Sequence, residues 1–203
     1  MSVKPKGLDR INAAAVKVIG AKGFAEATTL EIAAAAGVSE GLIFRYYKTK
    51  LDLGLALFKR HYQEVLDRLT QMALKHEDPI QRVRGVAKDF YLWFDENRDV
   101  AQFLIRTHQE FLDKTEQQQG FMVLAGLALK QTLGEALFLL FPSDIMAAML
   151  VGAFLQVCVE CMHGQVKGPL APQMAGIIDA ITSLLSRAAP AANGKEAQNQ
   201  AQQ

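Results

Sequence analysis

The chain has 203 residues, 50% of them hydrophobic and 21% charged, which excludes a disordered polar chain and leaves room for a small module joined to a larger one. A net charge of +1 hides an asymmetry: residues 1–55 carry eight Lys/Arg against five Asp/Glu, and the rest carry fourteen against sixteen. The front part is therefore modestly basic, as phosphate contacts need, although an ordinary soluble surface has the same balance. The start, Met1-Ser2-Val3-Lys4-Pro5-Lys6, lacks the apolar core of a cleaved leader. The longest apolar run, Ile145 to Leu155 extended past Gln156 to Val159, is shorter than the roughly 18 uninterrupted apolar residues of a membrane span. A cytoplasmic protein with no membrane partner is expected.

Apolar residues recur at three- and four-residue spacing nearly throughout, which predicts an all-α fold of about nine helices. The first helix starts near Leu8 or Asp9, with Ile11, Ala14, Ala15, Val18 and Ile19 on one face and Asp9, Arg10, Asn12 and Lys17 largely opposite. Gly23 stops it. Thr28-Thr29 offers a hydroxyl cap to a short second helix, Gly37 ends that helix, and Ser39 caps the third. A long fourth helix from Leu51 to about Lys75 turns Leu53, Leu57, Tyr62, Val65, Leu66 and Leu69 inward. Asp78-Pro79 starts a fifth, which Asn97 ends. A sixth covers Val100 to Phe111, a seventh about Glu116 to Leu140, an eighth the stretch from Pro142-Ser143-Asp144 to about Met162, and a ninth Met174 to Ala188. Gly164 to Pro172 reads as a loop, and residues 190–203 as a flexible tail rich in Ala, Gln and Asn. The division expected is 1–50, 51–189 and 190–203.

Residues 9–50 carry the pattern of a helix-turn-helix. Ile32 and Ala36 point inward, Ala33 is small where a second helix comes close, and Gly37 supplies a left-handed turn. Val38 and Ile43 close a small core against Ile11, Ala15 and Phe24. The run Gly23-Phe24, Thr28-Thr29, Ile32-Ala33, Ala36-Gly37-Val38-Ser39, Gly41, Phe44, Tyr46-Tyr47 and Lys50 resembles the amino-terminal domain of the tetracycline-repressor (TetR) family of bacterial regulators. The resemblance covers about the first quarter of the chain.

That resemblance implies a recognition helix from Ser39 to Tyr46 in the major groove of double-stranded operator DNA, with Glu40, Gly41 and Leu42 on the base side. Glu40 can accept from a cytosine amino group or act only as a charge favoured at a helix start, Leu42 can press on a thymine methyl, and Gly41 lets the backbone approach closely. Thr28 or Thr29, Ser39, Arg45, Tyr46, Lys48 and Lys50 are the phosphate-side candidates, with Lys4 and Lys6 on a flexible arm, and Phe44 is a further DNA-side candidate that packing against the first and fourth helices would equally explain. On this reading Lys50→Ala lowers the salt slope of DNA binding by about one unit and Leu42→Ala changes sequence preference. The chain departs from the family at Leu42, where Thr or Ser is common, and at Phe44, where Tyr is, so two hydroxyls are absent. For Tyr47 packing against the first and fourth helices is the preferred role.

The remainder carries no motif of its own. The resemblance implies a larger ligand-binding and dimerisation domain. Phe90, Trp93, Phe94, Phe103, Met122 and Phe154 supply enough apolar surface to enclose a small, mostly apolar effector, and Arg106, with His108 and Glu110, supplies polar groups to orient it. The same aromatics also suit an ordinary core, and the charges a solvated face. The apolar eighth and ninth helices (about 143–163 and 173–188), with Ile145, Met149, Val151, Leu155 and Val159, then Ile177, Ile178, Ile181, Leu184 and Leu185, form the homodimer bundle by the same resemblance. Cys158 and Cys161 share a helix face ahead of His163, yet no second Cys/His cluster completes a typical metal site; two small buried thiols are the simpler reading. No metal, cofactor or catalytic set is expected, because no phosphate loop and no nucleophile with its base can be assembled. The function expected is a ligand-responsive repressor, released from a near-palindromic operator by its effector; the alternative is a ligand-independent architectural DNA-binding factor.

Overall fold

The computed structural model describes residues 6–112, 114 and 143–188, and these form eight helices. They are α1 (Lys6–Lys22), α2 (Thr29–Ala36), α3 (Glu40–Tyr46), α4 (Lys50–Leu74), α5 (Pro79–Glu96), α6 (Arg98–Leu112), α7 (Ser143–Met162) and α8 (Leu170–Ala188). The helix expected from Glu116 to Leu140 and the tail from 190 lie outside the described residues.

Local chemistry sets most of the boundaries. Thr28 accepts from the Glu31 amide while the Glu31 carboxylate accepts from the Thr28 amide, a reciprocal capping box at the start of α2. Gly37 ends α2 at φ +63°, ψ +44°, with its amide and that of Val38 returning to the carbonyls of Ala34 and Ala33. Thr49 caps α4 through the Asp52 amide, and Asp78 caps α5 through the Gln81 amide at 2.7 Å. α8 opens at Leu170, four residues before the expected Met174, because its cap comes from another helix. The Asp95 carboxylate on α5 accepts from the amides of Leu170 (2.9 Å) and Ala171 (2.7 Å). Pro172 then falls inside the first turn, where its missing amide costs nothing.

One core runs through α1, α2, α3, α4 and α6, crossing the expected boundary at residue 50, which is the first residue of α4. Ile11, Ala15, Ile19, Ile32, Ala33, Ile43, Leu53, Leu57 and Phe58 pack there with Phe103 and Phe111. α1 and α6 approach closely at Gly20, where a Cβ would stand 3.1 Å from the Phe103 amide nitrogen and 3.2 Å from the Asp99 carbonyl. Asn12, expected on the outer face of α1, is buried and accepts from the Tyr47 hydroxyl at 2.8 Å. A second core joins Ala87, Tyr91, Phe94, Ala101, Cys158, Leu170 and Ile178 from α5, α6, α7 and α8. Lys88 and Arg84 on α5 pair with Asp179 on α8 at 2.8 and 3.2 Å.

Gly37 carries the turn. A Cβ built there would collide with the Arg10 guanidinium, which itself donates to the Gly37 carbonyl at 2.7 Å. Gly37→Ala is expected to cost about 1–2 kcal/mol for the left-handed backbone alone. The melting temperature should therefore fall by roughly 2–8 °C; an unchanged value would show that the turn relaxes out of that conformation.

Candidate DNA interface

α3 is seven residues long, and its spacing divides it into an inner and an outer face. Ile43 is fully buried against α1 and α2, whereas Gly41 and Arg45 on the opposite face are exposed, as are Phe44 on the flank of the helix and Lys48 just beyond its end. Ser39 sits at the N-cap with an extended backbone, and its exposed hydroxyl makes no capping bond. Tyr46 is exposed and Tyr47 packs on the core, as its preferred role required.

Several candidate residues have their polar groups engaged within the fold. The Thr28 hydroxyl belongs to the capping box, and the Thr29 hydroxyl donates to the Glu40 carboxylate. Leu42 is half-buried on the core, its Cδ2 3.3 Å from where a Gly7 Cβ would stand, so it faces α1 and not outward. Lys50 is the larger correction. Its ammonium donates to the carbonyls of Phe24 (2.8 Å), Ala27 (2.9 Å) and Ala25 (3.4 Å) and lies 4.4 Å from the centroid of the Phe24 ring. Three acceptors saturate an ammonium's three donors, so Lys50 ties the α1–α2 loop to α4 and has no donor left for a phosphate. Arg10 was missed as part of this region because its carbonyl partner, Gly37, is 27 residues away. Lys4 and Lys6 have no described side chain.

Two of the effector candidates, Phe90 and Trp93, pack on both cores. Phe90, Trp93, Phe94 and Phe154 belong to the second core, where the Tyr91 hydroxyl donates to the Phe154 carbonyl at 3.2 Å. Phe103 lies in the joint between α1 and α6, Arg106 and Glu110 are exposed, and Met122 is outside the described residues. His108 is half-buried, 6.1 Å from the Tyr62 ring. Burial holds its imidazole below the ordinary value of 6.5, and burial also lowers His61 against the opposing effect of Glu64. A folded state that favours neutral rings binds fewer protons than the unfolded chain, so stability falls as pH drops below about 6.5. The urea midpoint should decline between about pH 7 and pH 5, and His108→Phe should flatten part of that decline. An unchanged slope in the variant would remove His108 as a cause.

Burial pushes the Cys158 thiol up to about 12, which keeps it protonated and unreactive at neutral pH. Cys161 accepts from the Arg98 guanidinium at 3.1 Å. Among the described residues no group of three or more His, Cys, Asp or Glu is placed to hold a metal ion. No helix among them is long and apolar enough to cross a membrane.

A helix-turn-helix with an outward-facing, partly basic third helix, packed through a common core onto a helical second part, defines a module of the kind that binds DNA. Residues 11–57 match the family described as bacterial regulatory proteins, tetR family. The chain is 34% identical over 86 residues to the HTH-type transcriptional regulator CymR of Pseudomonas putida, a segment covering 41% of this chain and 42% of that protein. The match thus spans less than half the length of the curated relative. Solved structures share the fold over nearly the whole length. The fatty acid degradation regulator FadR from Bacillus halodurans superposes with a TM-score of 0.69 at 21% identity, covering 91% of this chain and 96% of that one. FadR from Bacillus subtilis, solved with stearoyl-CoA, superposes at 0.66 and 18% identity, covering 89% and 98%.

Proposed function

We propose that this chain is a ligand-responsive repressor that holds a near-palindromic operator as a dimer and leaves it when a small, mostly apolar ligand binds the helical part. The observation that carries this reading is the continuous core from α3 through α1 to α6. α6 packs on α1 at Gly20 and on α4 through Phe111, so a ligand that moves α6 moves the recognition helix with it. Dimerisation is supported by the exposed apolar side chains Ile145 and Met149 on α7 and Ile177 and Ile181 on α8, with Met149 71% exposed. Large apolar groups left in water on two neighbouring helices favour burial against a second copy. Two copies would then set two recognition helices against half-sites about 34–36 Å apart. Ser39, Arg45, Tyr46 and Lys48 are the proposed phosphate contacts, and Phe90, Trp93, Phe94 and Phe154 the apolar side of the ligand domain.

A long-chain acyl thioester is the first ligand to try, because the B. subtilis FadR of the same fold was solved with stearoyl-CoA. The test is a binding titration of the full chain on fragments selected from its own genome at about 0.15 M salt, where nonspecific binding is weak. A specific complex that dissociates on adding stearoyl-CoA is the expected result. No preference over random DNA defeats the reading, and specific binding indifferent to a panel of acyl and aromatic ligands favours an architectural factor instead.

A further inference from the structure

A chain of polar contacts links the DNA module to the long helix α4. The His61 ring, 13% exposed, stands between two charged neighbours on its own helix: its Nδ1 lies 2.8 Å from the Glu64 carboxylate and its Nε2 2.9 Å from Nη2 of Arg60. Both contacts require the same neutral tautomer, because a carboxylate only accepts and a guanidinium only donates. Nδ1 therefore carries the hydrogen and Nε2 accepts. Among the described residues the buried Nε of Arg60 finds no hydrogen-bond partner and stands 3.8 Å from Glu64, so His61 is the group that orients the guanidinium. Arg60 carries the chain onward to Tyr47, whose phenol is pushed up by burial and pulled down by Asn12 and by the Arg60 charge. The Tyr47 hydroxyl donates to the buried Asn12 of α1, and its backbone amide closes the last turn of α3 on the Ile43 carbonyl. On the other elements packed against α4, Asp89 and Glu96 of α5 are paired with Arg68, about two turns along from His61, His108 of α6 faces Tyr62, and α1 presents the uncharged Asn12.

We propose that Arg60, His61 and Glu64 form a proton-operated latch: neutral His61 holds the Arg60 guanidinium near Tyr47, at the end of α3, and a proton on Nε2 releases it, so that mild acid weakens operator binding. The inference rests on the DNA-binding function proposed above and adds a signal to it. A proton on Nε2 turns an acceptor into a donor and sets two positive groups face to face across a contact of 2.9 Å. Arg60 must then turn towards water, which its 39% exposed side chain permits. Tyr47 and Asn12 lose the charge near them in the joint between α1, α3 and α4, and α3 loses a fixed seat. The sign follows from burial, which holds His61 below the ordinary 6.5 against the pull of Glu64, so the latched form takes the proton less readily than the released one. Proton and operator thus favour opposite states, and each weakens the other by the same coupling free energy. General electrostatics run the other way, since a chain that gains positive charge in acid binds phosphates more tightly. A loss of affinity in acid is therefore diagnostic.

The experiment titrates the full-length protein on an operator duplex selected from its own genome, between about pH 7.5 and about pH 5.5 at constant ionic strength, and follows the ring resonances of His61 and Tyr47 by NMR over the same range. Wild-type affinity should fall about three- to tenfold, with the midpoint at which the His61 ring takes its proton. His61→Gln keeps an acceptor for Arg60 and a donor for Glu64 but takes no proton, so it should bind as the wild type does at neutral pH and show no loss in acid. Glu64→Gln removes the carboxylate that favours the charged ring, and should move the binding and ring midpoints to lower pH together. His108→Gln should leave the loss in place, which separates the latch from the other half-buried histidine. An affinity that holds or rises in acid, a loss that persists in His61→Gln, or a loss that disappears with His108 overturns the latch. Tyr47 tests it without DNA: its resonances should shift at the His61 midpoint in the wild type and stay fixed in His61→Gln, and indifference to the His61 titration overturns the latch even where an operator is found. A selection that enriches no sequence overturns the DNA-binding proposal instead, and the Tyr47 signals then decide the latch.

Discussion

Phe111→Ala should destabilise the protein by about 3–5 kcal/mol, the range for emptying a large buried aromatic position that cannot collapse. The ring has no exposed surface. It meets Phe24 edge-on at a centroid distance of 4.8 Å and Phe58 at 5.7 Å, and its Cζ lies 2.9 Å from where a Cβ on Gly54 would stand. Those neighbours belong to the loop after α1 and to α4, so the single side chain at the end of α6 fills the space where three segments meet. A side chain at Gly54 would meet this ring and also the Phe24 ring, likewise 2.9 Å from a Cβ there, so glycine leaves room for both. Against a whole-protein stability of about 5–15 kcal/mol, such a loss leaves a marginal fold. Urea denaturation followed by circular dichroism measures it. A loss below about 1 kcal/mol would mean that the site repacks and that α6 is not held to the DNA-reading part through this ring.

What the sequence disclosed and what it concealed follow the range of the interactions involved. Thr28 with Glu31, Gly37, and Asp78 before Pro79 act within four residues, so their spacing announces the helix ends that the structure contains. The apolar periodicity of α1 and α4 likewise places Ile11, Ile19, Leu53 and Leu57 in the core. Asp95, in contrast, caps a helix 75 residues further along, and Asn12 is buried because Tyr47, 35 residues away, donates to it. Neither partner is visible from local pattern. The interface shows the same division. The helix-turn-helix scaffold was legible, but which side of α3 faces outward depends on Leu42 meeting Gly7 and Glu40 meeting Thr29. These contacts occupy the Glu40 carboxylate and turn Leu42 towards α1, and of the three expected base-side positions they leave Gly41 open.

Lys50 puts that distinction to a quantitative test. A family resemblance made it a phosphate contact, and on that basis its removal lowers the salt slope of DNA binding by about one unit. Its ammonium instead joins the carbonyls of Phe24, Ala25 and Ala27 and lies over the Phe24 ring, which in turn packs on Phe111. Lys50→Met keeps the aliphatic stem and removes the charge, leaving partly buried carbonyls without their donor. The expected cost is about 2–3 kcal/mol, in line with hydrogen bonds to a charged group. DNA binding should weaken as well, because the loop that leads into α2 loses its anchor, but the plot of log affinity against log salt should keep its slope. Lys48→Ala should do the reverse: its ammonium is exposed at the end of α3, so stability is preserved and the slope falls by about 0.9. A slope reduced by one unit in Lys50→Met, with stability intact, would return Lys50 to the phosphate-contacting set.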